Sequence, residues 1–338
     1  MAHPARTALV LQGGGALGAY ELGAARALYG QKDFGPDVIA GVSIGAITAA
    51  LLARPASGLT PLQALEAFWE QVAVPAPFVP PPLRPFASFF GNRHFFVPRI
   101  DVLNWPHWTY FYDTSPLRRT LSELVDLERL ADRTAAPRLL VSATNLGQGE
   151  IAYFDSRDGL ALDHVMASGS LPPSFPMTTI GEQSYWDGGL FDNTPLGAVL
   201  DRLDQDPLTD RVIYVMNLFR NKAPLPADLP GTLARMVTLQ FANKTAGDLK
   251  LLDRFNEVAR LVTALDALPG GNPLANDQAY LDIKKRAYIR MPTIVEVTLP
   301  DPGDDAGSSD FSPETIKQRA EEGFSRTVAA LSTPRRPS

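Results

Sequence analysis

The chain has 338 residues, 45% of them hydrophobic and 20% charged, values of a globular protein rather than a disordered or fibrous one. A formal net charge of −6 gives no electrostatic reason to expect nucleic acid or a strongly anionic bilayer as partner, so substrate binding is expected to rest on shape and apolar contact. The absence of cysteine excludes disulfides, thiolate catalysis and cysteine metal sites together.

The first residues run directly into an apolar stretch at 7–11, too short for a signal peptide and without a small-residue cleavage site. No run approaches the ~18 apolar residues of a membrane span. The expectation is a cytoplasmic protein that can lie peripherally on a membrane without crossing it. Residues 7–11 end at Gln12-Gly13-Gly14-Gly15, and residues 19–29 have helical composition, which predicts strand, glycine turn and helix. A second unit follows: residues 38–42 predict a buried strand, and residues 44–53 an alanine- and leucine-rich helix that stops before Pro55. Two such units in succession predict an α/β fold with a mostly parallel central sheet.

Residues 75–112 change character, with prolines at 80–82 and rings from Phe78, Phe86, Phe89 and Phe90 to Phe95, Phe96, Trp105 and Trp108 in no clear period. This insertion reads either as an acyl-binding wall or interfacial lid, or as a loop packed by its own aromatics. Residues 138–144 and 151–154 resume the strand pattern, 162–168 predict a short helix, and 178–186 a hairpin turning near Gly181-Glu182. Residues 212–217 predict a strand and 229–265 a helical stretch in one piece or two, after which 286–290 and 294–299 are strand candidates. Ser312, Pro313 and Glu314 supply an N-cap, a first-turn proline and a first-turn acid in order. Ile316, Ala320, Phe324, Val328 and Leu331 give the helix that follows one apolar stripe, predicting that it docks on the main body. Residues 333–338 predict a disordered tail.

Gly41-Val42-Ser43-Ile44-Gly45 is a G-x-S-x-G pattern between a predicted strand and a predicted helix, the context in which it marks a nucleophile. A sharp turn there lifts the serine hydroxyl clear of the backbone, and the helix N-terminus stabilises developing negative charge. Gly13, Gly15 and Gly18 also satisfy G-x-G-x-x-G, the dinucleotide fingerprint. That reading wants an acid at the end of the second strand, where Val42 and Ser43 stand; Asp37 lies at its start. The alternative makes the amides of Gly13, Gly14 and Gly15 an oxyanion hole beside the serine.

A serine needs a base, and the histidines are His3, His94, His107 and His164 only. An α/β-hydrolase triad runs in the order serine, acid, histidine, which leaves few acids ahead of His164, and His164 reads better as a structural residue. Asp187 stands at a strand end before Gly188 and Gly189, two glycines that are expected to leave its carboxylate accessible. In a desolvated cleft its pKa rises, and it becomes a competent base.

In this order, Gly13-Gly14-Gly15, Gly41-Val42-Ser43-Ile44-Gly45 and Asp187-Gly188-Gly189 resemble the oxyanion loop, nucleophile elbow and aspartate motif of the patatin-like phospholipases. The stretch from Ala167 to Pro176 is similar to the small-residue and proline segment that precedes that aspartate. The resemblance covers residues 7–220 as a catalytic domain, followed by a mainly helical extension at 221–332 packed upon it. It implies a three-layer α/β/α fold, a Ser43-Asp187 dyad, hydrolysis of fatty acyl esters of lipids, and no metal or cofactor. One departure stands out: many members place a basic residue shortly after the glycines, where this chain has Ala16-Leu17. A nucleotide-binding oxidoreductase and a catalytically silent lipid- or partner-binding module are the rival readings. Oligomeric state, head-group preference and acyl length have no signature in the sequence.

Overall fold

Alternation along the first strand sets the layers. The computed structural model describes residues 6–75, 79–80, 90–203, 211–219, 225–287, 293–299 and 307–332. The tail expected at 333–338, positions 288–290 of one expected strand, and Phe78, Phe86 and Phe89 lie outside the described residues. In β1 (Arg6–Leu11), Leu9 and Leu11 enter one core while Ala8 and Val10 enter another on the opposite face. The first core is capped by α1 (Ala19–Tyr29), α2 (Ile44–Ala53) and α3 (Pro61–Gln71); the second by α7 (Leu196–Arg202). A strand covered on both faces has no place for polar alternation, which is why residues 8–11 of β1 and the whole of β2 (Val38–Gly41) carry no polar side chain. Every residue of α2 is buried, as expected for a helix apolar on all sides. The result is a three-layer α/β/α arrangement.

Between these lie β3 (Val97–Pro98) paired with β4 (Tyr112–Asp113), then α4 (Ser115–Leu124), α5 (Leu127–Ala131), β5 (Arg138–Asn145), β6 (Glu150–Asp155) and α6 (Leu162–Ser168). β7 (Thr178–Ile180) and β8 (Gln183–Asp187) form the expected hairpin, and β9 (Arg211–Asn217) follows α7. The sheet runs β10 (Thr293–Thr298)-β9-β1-β2-β5-β8-β7, with β6 on the other edge of β5; its first five strands are parallel and the remaining pairings antiparallel.

Beyond residue 220, α8 (Leu229–Asp266) is one helix rather than two pieces, followed by α9 (Gln278–Ala287), β10 (Thr293–Thr298) and α10 (Pro313–Ser332). Arg286 and Ala287, read as the start of a strand, are the last turn of α9. Three consecutive hydrophobic residues in five, Ala287 to Ile289, give too short a pattern to separate the two states. β10 pairs in parallel with β9, so this segment contributes an edge strand to the sheet, and α10 docks on α1.

The docked face of α10 differs from the stripe. Ile316 and Ala320 are buried, but Phe324 and Val328 are 45% and 43% exposed, and the buried set is completed by Arg319, Gly323 and Thr327. Gly23 of α1 and Gly323 of α10 set this rotation: a Cβ on either would collide with the other helix's backbone, at Ala320 O or Tyr20 O. The helices cross backbone to backbone at the glycines, turning Phe324 and Val328 to the shoulder. Among the described residues no helix is long and apolar enough to cross a membrane.

Candidate active site

Two strands meet head-on along one edge of β5. β2 runs parallel to β5 and ends with Gly41 opposite Val141, while β8 runs antiparallel and ends with Asp187 opposite Ala143. Only Ser142 separates the two on β5, so the chains leaving β2 and β8 are forced together. The chain after β2 turns at once into α2, and Ser43 takes φ 56°, ψ −124°, a region that L side chains rarely adopt. The turn closes tightly: a Cβ on Gly41 would collide with Gly45 O, and one on Gly45 with Leu11 O. The glycines of G-x-S-x-G are thus required by backbone contact.

The Ser43 hydroxyl lies beside the Asp187 carboxylate in the same cavity, close enough to draw its proton affinity down. Asp187 is not accessible as its flanking glycines suggest but 2% exposed, and burial pushes its carboxyl up to about 7, against the opposing pull of the Ser43 hydroxyl and the Gly189 amide. Gly189 N donates to Asp187 Oδ1 at 2.8 Å, and the Thr144 hydroxyl donates to Asp187 O at 2.8 Å. The amide of Ser43 donates to the buried Ser168 hydroxyl at 2.9 Å. Ser168 lies in the small-residue stretch singled out in the sequence.

Gly13, Gly14 and Gly15 line the same cavity as Ser43 and Asp187. A Cβ on Gly13 would lie 2.9 Å from Ser43 Cβ, which places the loop directly beside the serine. Gly18 closes the short 3-10 turn Gly15–Gly18 and abuts Ile44, and Gly188 packs against Ser142 and Val42. Two further residues hold the loop. Asn193 Nδ2 donates to Gly13 O at 3.1 Å, and Gln12, 1% exposed, donates to the Thr194 hydroxyl at 2.9 Å while its Oε1 accepts from the amides of Leu218 and Phe219. Neither was singled out in the sequence, though Gln12 directly precedes the glycines and Asn193 follows Asp187 by six positions.

The cavity holds about 290 Å³ and has an apolar wall. Phe95, Phe96, Tyr112, Phe175 and Phe311 form a ring cluster, with Phe96 and Tyr112 at 4.9 Å between centroids and Phe95 and Phe311 at 5.5 Å. The aromatic insertion therefore divides. Phe95, Phe96 and Tyr112 face the cavity, while Phe90, Ile100, Leu103, Trp105 and Phe111 are exposed, Leu103 at 98%.

Among the described residues no histidine lines the cavity. His164 accepts from Ala161 N through Nδ1 at 2.8 Å, capping α6, and its ring lies 4.4 Å from that of Phe154. Asp37 accepts from Thr7 N and Arg6 at the start of β2, the opposite end from the glycine turn, where no ribose bound at that turn would reach it. Lys284 pairs with Asp266 at 2.7 Å, on the helices α8 and α9 rather than at the cavity. Among the described residues no cluster of three or more histidines or carboxylates is placed to hold a metal ion.

A family model described as patatin-like phospholipase matches residues 9–200, and the chain belongs to this family. Two solved structures are similar at low identity. VipD from Legionella pneumophila is 17% identical, with 98% of this chain and 67% of that one covered and a TM-score of 0.41. ExoU, in complex with SpcU, from the type III secretion system of Pseudomonas aeruginosa is also 17% identical, with 86% and 71% covered and a TM-score of 0.28. No curated protein matches the chain. Family membership supports lipid acyl hydrolase activity.

The strain at Ser43 has a measurable counterpart. Glycine adopts φ 56° without penalty, so Ser43→Gly is expected to raise stability by about 1 kcal/mol in denaturant melts, the ~1–3 kcal/mol of relieved strain less glycine's added unfolded-state entropy. A variant less stable than the parent would contradict a strained turn.

Proposed function

We propose that the protein is a serine acyl hydrolase cleaving fatty acyl esters of lipids, with Ser43 as nucleophile and Asp187 as base. What carries this reading is a serine hydroxyl set beside a fully buried carboxylate inside an apolar cavity. A carboxylate of ordinary pKa near ~4 is a poor base. Burial brings Asp187 to about 7, where it is ionised at neutral to mildly alkaline pH and accepts a proton with useful driving force.

Ser43 Oγ attacks the acyl carbonyl as its proton passes to Asp187. The amides of Gly13 to Gly15 and the N-terminus of α2 stabilise the oxyanion, and the proton on Asp187 then goes to the leaving alkoxide. Water, deprotonated by the same carboxylate, cleaves the acyl-enzyme. At about 290 Å³ the cavity stands at the lower end of the ~300–1,000 Å³ typical of ligand pockets, room for one acyl chain against the ring cluster.

The exposed side chains of the insertion extend this reading to a lipid surface. Leu103 and Trp105 stand in solvent on the segment that also supplies Phe95, Phe96 and Tyr112 to the cavity, so contact with a bilayer brings the lipid to the site by the same stretch of chain. The lipid head group meets a chain of formal charge −6, which favours zwitterionic or neutral lipid over strongly anionic lipid.

Two expectations follow from these roles. Ser43→Ala and Asp187→Asn, each folded, lose at least three orders of magnitude in hydrolysis of a p-nitrophenyl acyl ester, and Ser43→Ala also loses covalent labelling by a fluorophosphonate. Retained hydrolysis in either variant would remove the dyad. Leu103→Ser combined with Trp105→Ser leaves hydrolysis of a soluble short-chain ester unchanged but weakens binding to phosphatidylcholine vesicles by at least about tenfold, since each side chain transfers roughly 1.5–3 kcal/mol. Unaltered vesicle binding would remove the lipid-surface role of the insertion.

A further inference from the structure

We propose that Arg319 of the C-terminal helix α10 is a positioning residue for the oxyanion-binding glycines, acting across 303 positions of sequence on the turn that follows them. The proposal rests on the serine hydrolase reading above and adds to it a part that none of its motifs contains.

Arg319 is buried at 8% exposure, and its Nη1 donates to Ala16 O at 3.0 Å and to Asp310 O at 3.2 Å. Ala16 O belongs to the peptide whose N–H is that of Leu17, and Leu17 N donates to Gly14 O at 3.1 Å. Gly14 O in turn belongs to the peptide whose N–H is that of Gly15. The guanidinium therefore heads a chain of two peptide groups that ends on the Gly15 amide, and each bond in such a chain polarises the next. A charged donor at the head makes the final N–H a better donor and fixes the plane in which it points. The neighbouring peptide is held separately, because Asn193 grips Gly13 O, the carbonyl of the peptide that carries the Gly14 amide.

The second carbonyl held by Arg319 ties this chain to the cavity wall. Asp310 follows the 3-10 turn Gly307–Ser309, and Ser308, Ser309 and Phe311 line the cavity with the glycines. A Cβ on Gly15, whose φ is +56°, would lie 2.6 Å from Ser308 O, so the turn presses directly on the glycine loop. Asp310 is itself fixed, accepting from Ser312 N at 2.9 Å and from the Thr315 hydroxyl at 2.7 Å. One guanidinium thus clamps the glycine turn to the segment against which it is pressed.

An oxyanion forms only in the transition state, so loss of a properly aimed donor lowers kcat and leaves KM nearly unchanged. The test uses the full chain with Arg319→Met, Arg319→Gln and Arg319→Lys, kcat on a short-chain p-nitrophenyl ester being expressed per site labelled to completion by a fluorophosphonate. This normalisation removes the contribution of misfolded protein. Arg319→Met is expected to lower kcat per labelled site at least about tenfold, short of the ~10²–10³ of deleting a direct donor, with KM within about twofold. Arg319→Gln, which keeps a donor without the charge, and Arg319→Lys, which keeps the charge, recover part of the loss.

Full kcat per labelled site in the variants, with only yield or thermal stability reduced, would overturn the positioning role. So would a change confined to KM. If Arg319→Met does not fold, Arg319→Lys and Arg319→Gln decide the matter by the same ratio. A parent chain that fails to label at all would overturn the serine reading and this inference together, whereas a labelled parent with indifferent variants overturns the inference alone.

Discussion

The carboxylate of Asp187 is held out of water beside a serine hydroxyl, and the rest of the structure is arranged around that placement. It originates in the sheet: β2 and β8 share one edge of β5 and run toward each other, stopping with a single β5 residue between them. The elbow and the aspartate are therefore brought together by backbone register, before any side chain makes a choice. Burial raises the proton affinity of the carboxylate, and the Ser43 hydroxyl and the Gly189 amide restrain that rise. The balance leaves a group that titrates near neutrality, where a base is most useful. Strain is concentrated at the same place, at the positive φ of Ser43.

Around this pair the parallel strands deliver their C-terminal ends, the location at which open α/β sheets present their sites. β1 leads to the glycine turn, β2 to the serine and β9 to Leu218 and Phe219, whose amides are held by Gln12. Phe241 of α8 closes the same region, its carbonyl accepting from both Gln12 and Asn193 at 3.4 Å. The cavity is thus lined by residues spread from Gly13 to Phe311. The segment beyond residue 220 belongs to this construction through β10 in the sheet, α10 on α1 and the Ser308–Phe311 wall.

What could be read from the sequence was governed by short range. The two βα units, the hairpin before Asp187 and the serine elbow depend on composition and turn residues within about ten positions, and these elements stand where they were expected. The interactions that hold the site are long-range and carry no local pattern: Asn193 to Gly13 O, Gln12 to Thr194, and Arg319 to Ala16 O. The interval after the glycines, occupied by Ala16 and Leu17, has no cation of its own in the sequence, yet a guanidinium from α10 lies against it. Periodicity also misplaced one face. On α10 the 3.6-residue pattern chose the large apolar residues, whereas the glycine crossing with α1 chose the small ones and left Phe324 and Val328 exposed. The aromatic insertion had no period to read, and its division into a cavity wall and an exposed edge follows from packing against Phe175 and Phe311.

The central claim is that a buried carboxylate near pKa 7, with no histidine, activates Ser43. The rate constant for inactivation by a neutral fluorophosphonate, followed across pH in the parent and in Asp187→Asn, tests it most directly. Ionisation is required of a base, so the parent rate is expected to rise with pH through a single step centred near 7 and then level off, while the Asp187→Asn rate is low and lacks that step. A parent step that survives intact in Asp187→Asn, or a parent profile flat from pH 5 to pH 9, would contradict the account.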